Sequence, residues 1–220
     1  MRSAVELKNL EKYGYDELYD IVALLRSENG CPWDRAQDHH SIRKNLIEEA
    51  YEVAEALDKE DAELLREELG DLMLQVVLHA DMEQKAGRPG MDAVFDGICR
   101  KLIFRHPHIF GDDSAVTAEQ ALAGWEQRKM QEKGQKSVHE GLDRVTRTLP
   151  GLMRAQKIVK KAKKGDVLPQ DALNGGDLIS RLLALCDEAN AMEIDLEEAL
   201  YQRLEEIIAK VKEEETRNEN

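Results

Sequence analysis

The sequence predicts an all-α protein. Three observations carry that prediction. Leu, Ala, Glu and Lys dominate the composition, glycine and proline are sparse for a turn-rich β chain (14 and 5 in 220 residues), and no segment of any length alternates apolar with polar residues.

The elements follow in order. Tyr15–Ser27 carries Leu18, Ile21, Val22, Leu24 and Leu25 at helical spacing and stops at Glu28-Asn29-Gly30. Cys31-Pro32-Trp33-Asp34 reads as a loop. Ser41 is the expected N-cap of a second helix running to about Asp58, and Lys59–Asp61 is a tight connection. A third helix runs from Ala62 to about Lys85, where Gly87 and Pro89 end it. A fourth spans about Met91–Phe104, with Pro107 interrupting or ending it. Thr117-Ala-Glu-Gln120 forms a capping box that opens a fifth helix through Trp125 to about Glu132. The polar stretch Gly134–Thr148 reads as a linker, Leu149–Lys164 as a basic helix and Asp166–Gly176 as a loop. Two further helices, about Asp177–Asn190 and Asp195–Glu215, complete the expected bundle.

With 45 acidic against 31 basic side chains the formal net charge is −14. That balance opposes stable nucleic-acid binding, which needs a basic surface to displace counterions, and it opposes docking on an anionic membrane. It suits the binding of divalent cations, or plain solubility. No apolar run approaches the ~18 residues of a membrane span, and Met1–Leu10 lacks the apolar core of a signal peptide. Cys31, Cys99 and Cys186 are odd in number and far apart, which fits no disulfide framework. The expectation is a reduced, soluble, cytoplasmic protein, with Cys99 and Cys186 in its core.

The informative segment is Asn45-Leu-Ile-Glu-Glu-Ala-Tyr-Glu52 followed by Glu67-Glu-Leu-Gly-Asp71. Glu49 and Glu52 are three apart and share a helix face, as do Glu68 and Asp71. The connecting turn centres near Glu60, so in an antiparallel pair Glu52 faces Glu68, eight residues to either side, and Glu49 faces Asp71, eleven to either side. Four carboxylates converging between two helices repel one another, and burial makes this worse. A hard divalent cation held by oxygens compensates, Mg²⁺ being the usual one where phosphates complete the coordination. Taken singly, each of these residues reads as an ordinary solvated helix carboxylate. A di-iron site needs Glu-x-x-His motifs, and none is present. Lys101 and Arg105, four apart, are positioned to hold phosphate oxygens, or else form a solvated helix face. Trp125 and Lys129, also four apart, suit a stacked base beside a phosphate, or a packing anchor. His106 and His108 set the helix end around Pro107, or touch phosphate. Cys31 with His39 and His40 lacks a fourth ligand at a spacing suited to zinc.

Together these residues resemble the MazG family of nucleoside triphosphate pyrophosphohydrolases. The family pattern Glu-Glu-x-x-Glu, then Glu-x-x-Asp, stands here as Glu48-Glu49-x-x-Glu52 and Glu68-x-x-Asp71. The resemblance also takes in Gly30-Cys-Pro-Trp-Asp34, Gln37-Asp-His39, Lys101-Leu-Ile-Phe-Arg-His-Pro-His-Ile-Phe110 and Trp125-Glu126, and covers about Leu18 to Lys163. Asp38 stands where the family usually has Thr. The resemblance implies a MazG-like helical bundle with a carboxylate-lined metal site between antiparallel helices, completed by dimerisation or a higher homo-oligomer. It implies Mg²⁺-dependent hydrolysis of (deoxy)nucleoside triphosphates to monophosphate and pyrophosphate, with Mn²⁺ able to substitute, for nucleotide-pool cleaning or regulation. It makes Glu49, Glu52, Glu68 and Asp71 the metal ligands. Asn45 and Glu48 border the nucleotide, with Glu48 orienting the attacking water. Lys101 and Arg105 hold phosphates, and Trp125 and Lys129 contact the nucleotide.

Family members often carry two tandem domains. Leu149–Lys157 resembles the opening of a second copy, Gly176-Asp-Leu178 echoes Gly70-Asp-Leu72, and Ile194–Ala199 echoes the start of the fourth helix. No Glu-Glu-x-x-Glu precedes Asp177, Asn174 stands at the place of Glu68, and Leu204 and Ile208 replace Lys101 and Arg105. The expected organisation is a catalytic domain over 1–133, a linker over 134–148 and a shortened, catalytically silent helical region over 149–220. The stripe Lys157, Lys160, Lys161 and Lys164 reads as a solvated face, with nucleotide or RNA as the other occupant. Two alternatives stand beside the pyrophosphohydrolase reading. One is a non-catalytic nucleotide-binding or interaction protein retaining the fold; the other is a cation-dependent phosphatase releasing orthophosphate.

Overall fold

The structure is a computed structural model that describes residues 2–112, 114, 117–132, 134 and 137–218. All its regular elements among the described residues are helices. The chain divides into two compact units, Met1–Val116 and Thr117–Asn220.

The first unit holds α1 (Ala4–Lys8), α2 (Tyr15–Leu25), α3 (Pro32–Ala36), α4 (Arg43–Asp58), α5 (Ala62–Lys85), α6 (Met91–Arg105) and α7 (Pro107–Phe110). Its most extensive packing is between α4 and α5. The turn between them is as tight as Lys59–Asp61 implies. Glu60 takes a left-handed backbone (φ 52), and the Asp61 carboxylate caps α5 by accepting from the Glu63 and Leu64 N–H groups at 3.0 Å. The core gathers Val22, Ile42, Val77, Leu78, Ala80, Met82 and Met91. Every fully buried residue of α5 lies from Gln75 onward, and α4 buries only Ala56. The core therefore grips the distal half of α5, and the α4–α5 pair extends from it with its turn end in solvent.

Three local expectations are corrected. Ser41 does not cap α4, which starts at Arg43 behind Ile42. The Ser41 hydroxyl instead accepts from the Asp38 N–H at 2.9 Å, and the Asp38 carboxylate accepts from the His40 and Ser41 N–H groups at 2.8 Å. Those two backbone bonds hold the Asp38 carboxyl below its ordinary pKa, and they show that Asp does here the turn-closing work open to Thr. The Cys31–Asp34 loop is in part helical, because Pro32 opens α3 at its first position. Cys99 is exposed rather than in the core, whereas Cys186 is buried. Pro107 both ends α6 and opens α7, and His106 Nδ1 lies 2.7 Å from the Leu102 carbonyl at the end of α6.

A buried ion pair organises the chain between α2 and α4. Arg26 Nε lies 2.9 Å from Asp81 Oδ2, and both side chains are under 10% exposed. The same guanidinium donates to the carbonyls of Asp34 and Gln37, and Lys85 reaches Asp81 at 2.9 Å. Gly30 fits against the end of α2 only because it lacks a side chain: a Cβ there would fall 2.2 Å from the Leu25 carbonyl oxygen.

The second unit holds α8 (Ala118–Glu132), α9 (Val138–Asp143), α10 (Gly151–Lys164), α11 (Gln170–Asn174), α12 (Leu178–Ala191) and α13 (Leu196–Asn218). The stretch read as a linker carries α9, capped by Ser137 at the Glu140 N–H, and the stretch read as a loop carries α11. Thr117 caps α8 as its sequence implies, its Oγ1 accepting from the Gln120 N–H at 3.3 Å. Val145, Val159, Ala162, Cys186 and Ala189 are buried here. Gln156 joins α10 to the α12–α13 turn, donating to the Ile194 carbonyl at 2.8 Å and accepting from the Leu196 N–H at 2.9 Å.

Candidate functional site

The site is built on α4 and α5. Helical spacing puts Glu49 and Glu52 on one face of α4, and Glu68 and Asp71 on one face of α5. The tight turn at Glu60 sets the register between them. Carboxylate oxygens of Glu49, Glu68 and Asp71 all lie within 4.8 Å of one another, and among the described residues theirs is the only such grouping of potential metal ligands. Glu52 lies against the set: it acts on Glu49 and is the foremost charge acting on Glu68, while Asp71 is the foremost charge acting on Glu49. Those couplings are the facing pairs expected from the mirror about Glu60.

The electrostatics are those of an uncompensated anion cluster. Partial burial, followed by the charges of Asp71, Glu52 and Glu68, pushes the Glu49 carboxyl above its ordinary pKa. Partial burial, followed by Glu52, Glu67 and Asp71, does the same at Glu68. An all-oxygen donor set in which Glu49 and Glu68 resist ionisation fits a hard divalent cation.

Gln75 belongs to this site and was not anticipated. It sits four residues beyond Asp71, is 5% exposed, and donates from Nε2 to Glu49 Oε1 at 3.5 Å. Its own Oε1 is buried without a partner among the described residues. A signal for it exists in the sequence, since Gln75 and Asn45 stand fifteen residues to either side of Glu60 and so continue the facing pairs by one layer.

The other expected residues are placed as follows. On α4, Asn45 is half-buried and Glu48 is exposed. On α6, which packs against α5, Lys101 is half-buried and Arg105 is buried. Trp125 and Lys129 lie on α8 in the second unit, with Lys129 Nζ 4.5 Å from the centroid of the indole. Glu49, Glu52, Glu68 and Asp71 are thus brought together within one unit, whereas the Trp125–Lys129 pair belongs to the other.

The MazG nucleotide pyrophosphohydrolase domain model matches residues 37–110, the stretch that holds all four carboxylates. The chain is 48% identical over 147 residues to a nucleoside triphosphate pyrophosphohydrolase of Escherichia coli, covering 66% of this chain and 56% of that protein. It is 40% identical over 150 residues to the nucleoside triphosphate pyrophosphohydrolase/pyrophosphatase MazG of Thermotoga maritima, covering 68% and 57%. An uncharacterized 26.1 kDa protein of Streptomyces cacaoi is 39% identical over 187 residues, covering 83% of this chain and 76% of its own. The chain spans a little over half the length of the named pyrophosphohydrolases. The chain belongs to the MazG nucleotide pyrophosphohydrolase family.

Proposed function

We propose that this chain hydrolyses (deoxy)nucleoside triphosphates to the monophosphate and pyrophosphate in the cytoplasm, using Mg²⁺ (or Mn²⁺ in its place) held by Glu49, Glu52, Glu68 and Asp71. The observation that carries the reading is the convergence of Glu49, Glu68 and Asp71 oxygens within 4.8 Å, with the Glu49 and Glu68 carboxyls raised above their ordinary pKa. A divalent cation held there would supply Lewis-acid activation of a phosphate group. Glu48 orients a water for in-line attack on the α-phosphorus. The new oxygen–phosphorus bond forms as the bond from the α-phosphorus to the bridging oxygen breaks, pyrophosphate leaves with the bonding electrons, and the water's proton passes to solvent. Lys101 and Arg105 receive the charge that develops on the leaving group, and Asn45 borders the nucleotide.

A second copy of the chain is the proposed partner of the exposed edges of the α4–α5 pair. Ile47 and Tyr51 on α4, and Leu69 and Met73 on α5, are four apart on each helix, and all are more than 40% exposed. Docking two such pairs would build a four-helix bundle around the carboxylates. Residues 149–220 are the proposed silent region behind a catalytic domain over 1–133 and a linker over 134–148. The support is Asn174 at the place of Glu68, and the Leu204 and Ile208 replacements.

The test is product identity. Each of the eight common (d)NTPs is incubated with Mg²⁺ and protein, beside Glu52→Gln. Monophosphate and pyrophosphate, lost in the variant, are expected. Diphosphate and orthophosphate would move the cleavage to the β–γ bond, and nucleotide binding without turnover would make the chain a non-catalytic member of the family.

A further inference from the structure

The second unit contains a cavity of about 510 Å³, within the usual range for small-molecule sites. Its walls come from α8, α9, α10 and the segment after α9. Six cations line it, Lys129, Arg144, Lys157, Lys160, Lys161 and Lys164, against the single carboxylate of Glu126. This is an inversion of charge in a chain whose net charge is −14. Trp125 contributes an aromatic face, and Val138 and Val145 an apolar wall. The wall is close-packed: a Cβ at Gly165 would meet Val138 Cγ2 at 2.4 Å, so α9 sits directly on the end of α10.

The one carboxylate is already committed. Lys164 Nζ holds Glu126 Oε2 at 2.6 Å, bridging α10 to α8. Lys160 and Lys129 add their charges to the same group, which keeps Glu126 below its ordinary pKa. Lys157, Lys160 and Lys161 enter none of the ion pairs among the described residues. Lys163, the lysine of this helix that does not line the cavity, pairs with Asp187 at 2.6 Å. Favourable interaction with the helix dipole accounts for cations in the last turn, Lys161 and Lys164, but fades before Lys157 and Lys160. Clustered like charges around a concave wall are relieved by a bound anion of matching extent.

We propose that this cavity is an anion site that takes a polyphosphate group, through Lys157, Lys160 and Lys161 with Trp125 alongside. The polyphosphate comes either from a nucleoside triphosphate or from inorganic pyrophosphate. The site lies wholly within the second unit, and the proposal goes beyond the hydrolytic reading. It involves none of the carboxylates, so it can be tested without metal.

The experiment uses the full chain with Trp33→Phe, which leaves Trp125 as its only tryptophan, in EDTA at low salt. Trp125 emission is followed on titration with inorganic pyrophosphate, with α,β-methylene-ATP and with a single-stranded RNA oligonucleotide. Saturable binding of pyrophosphate or the ATP analogue is expected. Lys160→Ala should weaken it by about ten-fold, as loss of a charge-assisted contact does, and Lys163→Ala by less than about two-fold. Equal weakening by the two variants, with helicity unchanged in both, would reduce the effect to diffuse surface charge and overturn the proposal. Absence of saturable binding would overturn it, as would RNA binding tighter than either small anion. Because turnover plays no part in the readout, loss of the hydrolytic reading leaves this result standing, and the converse also holds.

Discussion

Gln75 Nε2 donates to Glu49 Oε1 at 3.5 Å from a position that is 5% exposed, one helical turn beyond Asp71. The buried amide holds a carboxylate on which Asp71, Glu52 and Glu68 also act. Gln75→Ala removes that support from Glu49 while leaving all four proposed ligands in the sequence. The concentration of Mg²⁺ needed for half-maximal activity should rise by about five-fold, the equivalent of ~1 kcal/mol, with little change in turnover at saturating Mg²⁺. Metal titration of wild type and variant checks it. Equal loss of turnover at every Mg²⁺ concentration would mean a purely structural amide.

The carboxylate cluster should trade stability for function. Glu49 and Glu68 have raised carboxyl pKa values in the fold, so the native state binds their protons more readily than the unfolded chain does. Their ionised forms therefore subtract from stability at neutral pH, and the deficit develops as pH rises through the shifted values. Glu68→Gln should raise the thermal midpoint in EDTA and abolish the gain that Mg²⁺ brings to wild type, while lowering activity by at least ~100-fold. Paired thermal melts with and without Mg²⁺, beside a rate assay, test both halves.

The Arg26–Asp81 pair is buried on both sides, and its guanidinium also holds the Asp34 and Gln37 carbonyls. Asp81→Ala leaves that cation without its counter-charge and should cost ~3–5 kcal/mol. Replacing both partners, Arg26→Met with Asp81→Leu, should recover a large part of that loss in denaturant melts. Faster proteolysis around Gly30–Gln37 in the double variant would follow from the lost carbonyl contacts.

His79 and His39 stack with ring centroids 5.0 Å apart and their Nδ1 atoms at 2.7 Å, while His39 Nε2 meets Glu83 at 2.8 Å. Burial depresses the pKa of His79 below its ordinary value, and the neighbouring His39 adds to the shift. The unfolded chain thus takes up this proton first, so stability is full above about pH 6.5 and falls as the pH drops towards the depressed folded value. His79→Gln should flatten the slope of unfolding free energy between about pH 7 and pH 5. A second, separate loss is expected at lower pH. Glu83, held by Arg88 and His39, has its pKa lowered to about 2, so its contribution is present above the ordinary carboxylate range and fades as pH falls towards that value.

Much of the fold was legible because helical periodicity and punctuation are local. The span of α5, Ala62–Lys85, follows from its apolar spacing and the glycine and proline beyond it. The facing of Glu52 with Glu68 and Glu49 with Asp71 follows from a tight turn at Glu60. The short helices α3, α9 and α11 were not legible, because five or six residues span too few turns to show a period. The Ser41 expectation failed because the hydroxyl had a competing use in the Asp38 turn, which local propensity does not rank.

The sequence by itself determined the helical class, the two helices that carry the carboxylates and the register in which those side chains meet. These are consequences of a 3.6-residue period and a short connection. Only the tertiary structure decided that Gln75 supports Glu49, that Arg26 and Asp81 share a buried contact 55 residues apart, and that the α10 lysines close on a cavity with Trp125. Those relationships join residues on different elements. What fixes them is the packing of one helix on another, which sequence distance does not encode.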